Sequence, residues 1–432
     1  MGVKIACLIP GGLGGTQKAG WLFADGLARL GHDVVGYSAR GPFVPEHPVH
    51  GLAVEIIGDE TESFPAIADG RFNALHVHMP GYYIRHPIYP FLKSLGKKRP
   101  RVVETNVFGW LQDWRANPFT DYRLFISMTS AWQAANRAGK SLSSLANCSV
   151  ARYPVFPAPV FSAEERQKMR HELGFGDDDI VALRFGRPDA AKWTDWECTA
   201  TVRVRRECNK MLKLLAMEPP VELKQRIASG EFGDGIVVHE VESSPARMAA
   251  MVDACDVIFH AARFGESFGY SIAEGMAAGK PVITRTIPWG DNAPVELVEH
   301  GTTGFVCCSL EGLTQALRLL GTDPNLRTTM GDAGHRRILS LSDMSGECAI
   351  LDAAICDDAQ ALGDRWEEII DFARTIPIRE WDVIEKSHAH MFAGAPEILH
   401  REMAHARSMV FKKKLSGLRA NARALLGRPS YH

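Results

Sequence analysis

The sequence has no CxxC pair and no even set of cysteines at disulfide spacing. Its nine cysteines are scattered, with Cys307 and Cys308 adjacent, a usage that fits free thiols in a reducing cytoplasm. No apolar run approaches the ~18 residues that a membrane-spanning helix needs. The apolar stretch behind Lys4 is too short for a secretory signal, and Ala6 stands where a myristoylation pattern opened by Gly2 wants Ser or Thr. Nor is there an excess of one charge: 49 Lys and Arg against 51 Asp and Glu leave a net −2, which gives no global pull toward nucleic acid or membrane. A P-loop is absent because no Gly-Lys-Ser/Thr occurs. The dinucleotide fingerprint fails as well, since Gly12-x-Gly14 is followed by Gln17 at the third glycine position. His76 and His78 have no further ligand at metal spacing and read as strand residues, so no metal is expected.

What remains is an ordinary soluble composition, 46% apolar and 23% charged, in 432 residues, long enough for two or three cores. Short strands at Val3 to Ile9, Asp33 to Val35, Ala74 to His78, Arg101 to Thr105 and Leu124 to Ser127 alternate with helical stretches. That alternation predicts a parallel, doubly wound α/β sheet. Tyr153 to Pro159 carries three prolines in seven residues and reads as a linker. The chain then starts again with a capping box at Ser162 and Glu165, a helix stopped by Gly174, and a buried strand over Ile180 to Phe185. The expected division is 1–157, 158–375, and a helical basic tail over 376–432 that returns to the first domain.

Two carboxylates, a Gly turn and a helix meet in Arg263 to Ile283. Val257 to His260 reads as a short buried strand, Ser271 to Ala278 as a helix, and Gly279 with Pro281 as its stop. Glu266 precedes the helix and Glu274 lies within it, eight residues on, so about 80° of rotation separates them and both can face one ligand. The backbone N–H groups of Ser267, Phe268 and Gly269 open the helix, where an anion is favoured. Acceptors for hydroxyls beside donors for phosphate suit a sugar nucleotide.

Glu266-x7-Glu274, with Phe268-Gly269 between and Gly279-x-Pro281-Val282 after, resembles the signature of retaining glycosyltransferases of the two-Rossmann GT-B fold. These form the glycosyl transferases group 1 family. Glu296 to Val306 is similar to the same family's E-x-V-x-x-G-x-x-G run. The resemblance implies two Rossmann-like domains facing a cleft, with the acceptor on the first and the nucleotide sugar on the second. It also implies roles. Arg187 and Lys192, five residues apart, neutralise the leaving diphosphate, although Trp193 stands where relatives carry Gly. Glu274 accepts from the ribose, Glu266 holds sugar hydroxyls, and Gly14 and Gly15 border the donor phosphates. Asn106 occupies the place where many relatives have a donor-facing His; an amide there can bind a hydroxyl but cannot titrate. His239 and Glu240 close the strand that touches the base in relatives. The implied activity is transfer of a sugar from a nucleoside diphosphate to a hydroxyl acceptor, with no cofactor and no metal.

A glycolipid or polysaccharide precursor is the acceptor class read first, and modified nucleic acid or a small molecule the alternative. Two other classes stand beside this one. The Gly-rich loop and Arg40 suggest an NADP-dependent oxidoreductase, and a non-catalytic sugar-nucleotide binder could use the same residues. From Arg401 to His432 eight basic residues face one acidic residue, a local +7, interleaved over 408–432 with Leu and Phe. That pattern predicts contact with an anionic membrane surface, hence a cytoplasmic protein peripheral to a membrane. Phe411 and Tyr431 are too few aromatics for a nucleic-acid stacking platform.

Overall fold

The computed structural model describes residues 2–11, 14–38, 52–81, 86–111, 119–190, 192–240, 242, 244–287 and 290–375, with isolated helical positions at 400, 404, 407, 408 and 411. Most of the basic tail, and Arg40, lie outside the described residues.

Seven parallel strands form the first sheet: β1 (Lys4–Ile9), β2 (Asp33–Ser38), β3 (Leu52–Ile56), β4 (Ala74–Met79), β5 (Arg101–Asn106), β6 (Tyr122–Phe125) and β7 (Cys148–Val150). Their order is β3-β2-β1-β4-β5-β6-β7. The central strands β1, β4 and β5 are almost wholly buried because helices cover both faces, and they carry the buried polar residues His76, His78, Glu104, Thr105 and Asn106. A second set comprises β8 (Ile180–Arg184), β9 (Leu212–Met217), β10 (Ile236–His239), β11 (Val257–His260), β12 (Gly265–Glu266), β13 (Val282–Arg285), β14 (Asp291–Asn292) and β15 (Gly304–Cys307). Six of these make a sheet in the order β10-β9-β8-β11-β13-β15, while β12 and β14 pair apart from it. The fold is GT-B, two doubly wound parallel-sheet domains with helices at the end of the described chain. In such sheets ligands bind beyond the C-terminal strand ends. Those ends of β1 and β8 carry the Gly loop and Arg187.

Local readings translate directly. Ser162 Oγ accepts from the Glu165 N–H and caps the helix Ala163–Glu172. The motif helix spans Tyr270–Ala277, and Gly279 with Lys280 closes it by donating to Met276 and Gly275 carbonyls.

One expectation is corrected. The helices Met344–Cys356 and Ala359–Thr375, assigned by sequence to the second domain, pack on the first sheet, against the helix Gly15–Arg29, β5, β7 and the helix Met128–Arg137. The return crossing therefore comes near residue 342 rather than after 375. Its cause is side-chain chemistry that composition does not reveal. Arg101 donates to the Ala354 carbonyl at 2.7 Å and pairs with Asp357 at 2.6 Å, and Ile369 is fully buried with Phe125 and Val150.

At the crossing lies a buried ion network. Glu296 Oε1 accepts from Arg152 Nε at 2.6 Å, and its Oε2 accepts from the Met128 N–H at 2.8 Å, so a second-domain carboxylate sits on the N-terminus of a first-domain helix. Glu347 accepts from the Arg152 backbone N–H and from Arg365, each at 2.7 Å. Arg152 is 2% exposed and Glu296 1%.

Candidate active site

Glu266 is fixed from two sides. Its Oε2 pairs with Lys192 Nζ at 2.8 Å, and its Oε1 lies 2.9 Å from His260 Nε2. Arg184 can only donate, so its Nη1, 3.0 Å from His260 Nδ1, fixes the tautomer with hydrogen on Nε2, which donates to Glu266. Arg184 in turn pairs with Glu197 at 3.0 Å and lies 4.2 Å from the Trp193 ring centroid. Burial raises the Glu266 carboxyl, but Lys192 and His260 outweigh it and hold the pKa at about 2. Burial, aided by Arg184, pushes His260 down to about 4, so the ring is neutral near pH 7. The result is an ionised carboxylate in a fixed orientation on a short strand. Gly265 permits that strand: its φ is +78°, and a Cβ would lie 1.7 Å from the Asp291 carbonyl oxygen.

Lys192 also donates to the Gly265 carbonyl at 3.1 Å. The turn that carries it is secured by Trp193, whose Nε1 donates to the Arg187 carbonyl at 2.8 Å. Trp193 thus does by side chain what a glycine would leave to backbone freedom. Arg187 is exposed, and its Cδ would lie 3.6 Å from a Cβ on Gly14, which places it across the cleft from the first-domain loop. Gly15 faces Tyr270 so closely that a Cβ would sit 2.5 Å from the ring. Gly269, at φ +95°, starts the motif helix; Ser267 Oγ donates to Asp291 at 2.7 Å, and Phe268 is buried against Tyr153 and Tyr270. Glu274 pairs with Lys18 from the first domain, whose ammonium stands 5.1 Å from the Tyr270 ring centroid. Arg187, Lys192, Glu266, Glu274, Gly14, Gly15 and the helix start thus gather where the two domains meet.

Asn106 does not join them. It is fully buried at the end of β5, where its Nδ2 donates to Glu104 at 3.0 Å and to the Trp110 carbonyl at 2.8 Å. The expected contact with a donor sugar finds no exposed atom, and the amide instead ties down the following loop. His260, Arg184 and Glu197 were not singled out from sequence. Their signal was available: His260 and Arg184 are polar last residues of two adjacent, otherwise apolar strands.

One His, Asp and Cys grouping occurs among the described residues, His32, Asp352 and Cys356, away from the cleft. The Val3 N–H donates to His32 Nδ1 at 3.1 Å, so Nε2 carries the hydrogen that reaches Asp352 at 2.8 Å and offers no lone pair to an ion. The group is a strap between β2 and the returning helix.

Residues 180–323, which hold all of these second-domain groups, match the family model described as Glycosyl transferases group 1. The chain is a glycosyltransferase. No curated protein matches it in sequence. In structure, this glycosyltransferase is similar to Anabaena Alr3699/HepE in complex with UDP-glucose, with TM-score 0.64, 17% identity, and 82% of this chain and 100% of that one covered. It is similar also to WaaG, a glycosyltransferase involved in lipopolysaccharide biosynthesis, with TM-score 0.59, 14% identity and coverage of 82% and 99%. A UDP-forming trehalose-phosphate synthase from Burkholderia xenovorans gives TM-score 0.59 at 13% identity, covering 82% and 99%. Among the described residues no helix of the glycosyltransferase is long and apolar enough to cross a membrane.

Proposed function

We propose that the enzyme is a retaining glycosyltransferase that moves a sugar from a nucleoside diphosphate to a hydroxyl acceptor. The observation that carries this reading is the fixed pair Lys192–Glu266 beside Arg187 and the start of the helix Tyr270–Ala277, which puts cations and free N–H groups next to one ionised carboxylate. The acceptor oxygen attacks the anomeric carbon on the face that the diphosphate leaves. The carbon–oxygen bond to the phosphate breaks, and the acceptor proton passes to the departing phosphate oxygen. Negative charge grows on that phosphate, where preorganised Arg187, Lys192 and backbone N–H groups stabilise it. Glu266, held ionised, accepts from sugar hydroxyls and steadies positive charge at the anomeric carbon. Glu274 accepts from the ribose once Lys18 yields. A uridine diphosphate sugar is the donor to test first, because solved structures of the same fold were obtained with UDP-glucose and UDP.

Glu274→Ala tests the donor site. Loss of one charged hydrogen bond costs ~1.5 to 3 kcal/mol, so UDP affinity falls by roughly 10- to 150-fold in calorimetry; unchanged affinity removes Glu274 from the site. A non-catalytic binder would bind UDP yet release none from UDP-glucose with any acceptor.

The reaction proceeds without a divalent ion, since Arg187 and Lys192 supply the neutralising charge. Turnover in excess EDTA equals that in magnesium; full loss in chelator, restored by magnesium or manganese, overturns this.

The basic segment 408–432 meets an anionic leaflet, each nearby basic residue adding ~1 kcal/mol. Full-length protein then co-sediments with phosphatidylserine vesicles at low salt and is released at high salt. Equal sedimentation with neutral vesicles contradicts it.

A further inference from the structure

Beside the Gly loop, the C-terminal ends of β1, β2 and β4 and the turn after β3 enclose a cavity of about 330 Å³. It lies wholly on the first domain. Tyr37, Asp59, Glu60, His78, Met79 and His86 are among its lining. Its size is at the small end of ligand pockets, about 300 Å³ and upward, and suits one ring-sized group rather than a chain.

The polar atoms in it are incompletely used. His78 is 9% exposed, and apart from a loose contact with the Leu8 backbone its two ring nitrogens have no partner at hydrogen-bonding geometry. Glu60 Oε1 and His86 Nδ1 lie 3.1 Å apart without the alignment of a hydrogen bond, and each is a buried atom with no other partner. Buried polar groups left in this state cost free energy, so a site that collects four such atoms around a cavity is one whose partners arrive with a ligand. Burial holds His78 near a pKa of about 3, which leaves a neutral ring with one donor and one acceptor. Burial, together with Asp59, raises Glu60 to about 7, so near neutrality the carboxyl both donates and accepts.

Mixed donors and acceptors match hydroxyl groups, which are both at once. An anionic group, in contrast, would stand against the ionised Asp59, which lines the same cavity. We propose that Glu60, His78 and His86 make this pocket selective for an uncharged, hydroxyl-rich acceptor ring, and that they discriminate against rings carrying phosphate or carboxylate. This rests on the glycosyltransferase reading above, and deepens it by naming the chemical class of the acceptor. A neutral sugar or cyclic polyol offers vicinal hydroxyls at the spacing of the Glu60–His86 pair. Ring carbons then cover the apolar walls, which include Met79.

The test uses the full-length enzyme with UDP-glucose and a panel of methyl glycosides and cyclic polyols. Each is set against its phosphorylated or carboxylated counterpart, with UDP release as the readout. Uncharged rings are expected to be used at least about tenfold better in kcat/KM, the scale of one misplaced charged contact. Glu60→Gln and His86→Ala are expected to raise the acceptor KM about tenfold, with the KM for UDP-glucose moving less than about twofold. A second readout needs no turnover: the ¹⁵N resonances of the His78 and His86 rings shift on adding uncharged rings to the wild-type enzyme. Equal or better use of phosphorylated rings overturns the selectivity, as does an acceptor KM that neither variant moves. If no nucleotide sugar is bound or turned over, the glycosyltransferase reading fails by itself. The ring resonances then decide the pocket: absence of any shift with the uncharged panel overturns the proposal.

Discussion

Lys192→Ala lowers turnover by about 100- to 1,000-fold, the loss found when one preorganised donor to developing charge is removed, about 2.7 to 4 kcal/mol. Two effects combine in that figure. In the proposed mechanism the ammonium is matched to the diphosphate as its charge grows, and it is also one of two groups that orient Glu266, at 2.8 Å. His260 alone, at 2.9 Å, then holds a carboxylate whose strongest counter-charge has gone. Binding of the nucleoside moiety changes much less, because the proposed donor site puts base and ribose toward Glu274. The split is therefore diagnostic: single-turnover rates of UDP release collapse while UDP affinity by calorimetry shifts less than about tenfold. Arg187→Ala moves in the same direction. Wild-type turnover in the Lys192 variant would place the chemistry elsewhere.

Glu296→Ala destabilises the protein by about 3 to 5 kcal/mol, the cost of leaving one member of a buried ion pair without its partner. Arg152, 2% exposed, keeps Glu347 but loses its 2.6 Å contact, and the Met128 N–H loses its acceptor. Chemical denaturation reads this as a lower midpoint with the slope retained. Glu296→Gln, which still accepts from Met128, loses less. The double change Arg152→Met with Glu296→Leu recovers a large part, since matched apolar residues replace such a pair at little cost. An unchanged midpoint in the alanine variant would mean that water already reaches the network.

Much of this architecture could be read from the chain, and the particular residues show why. Ser162 with Glu165, Gly279 with Pro281, and the apolar strands before Gly14 and Gly186 act within a few residues, where helix caps and strand periods are set. The elements that carry Glu266 and Glu274 could be read for the same reason, since the two carboxylates stand on one short strand and the helix that follows it. What escaped is long-range pairing. Glu266 finds His260 six residues away, but the orientation of that ring depends on Arg184, 76 residues earlier. Glu296 was read only as part of a family run, yet its partners lie 144 and 168 residues away. Asn106 was placed in the cleft by analogy of position, and its own neighbours Glu104 and Trp110 take its amide instead. Nothing in local periodicity distinguishes a polar residue that meets a ligand from one that meets its own backbone.

The early return of the chain has a consequence for how the molecule is made. The first sheet ends at Val150, but the helices that cover β5 and β7 begin at Met344, so the unit that carries the Gly loop is split around the whole second domain. During synthesis at roughly 5 to 20 residues per second, the roughly 190 intervening residues take about 10 to 40 s to emerge. Through that interval the apolar faces that await Cys348 and Ile369 stay uncovered, while the second domain, contiguous in sequence, can close unaided. The nascent first sheet is thus the stretch on which a holding chaperone would act. The half that carries Glu266 and Glu274 is complete before the half that carries the cavity beside the Gly loop.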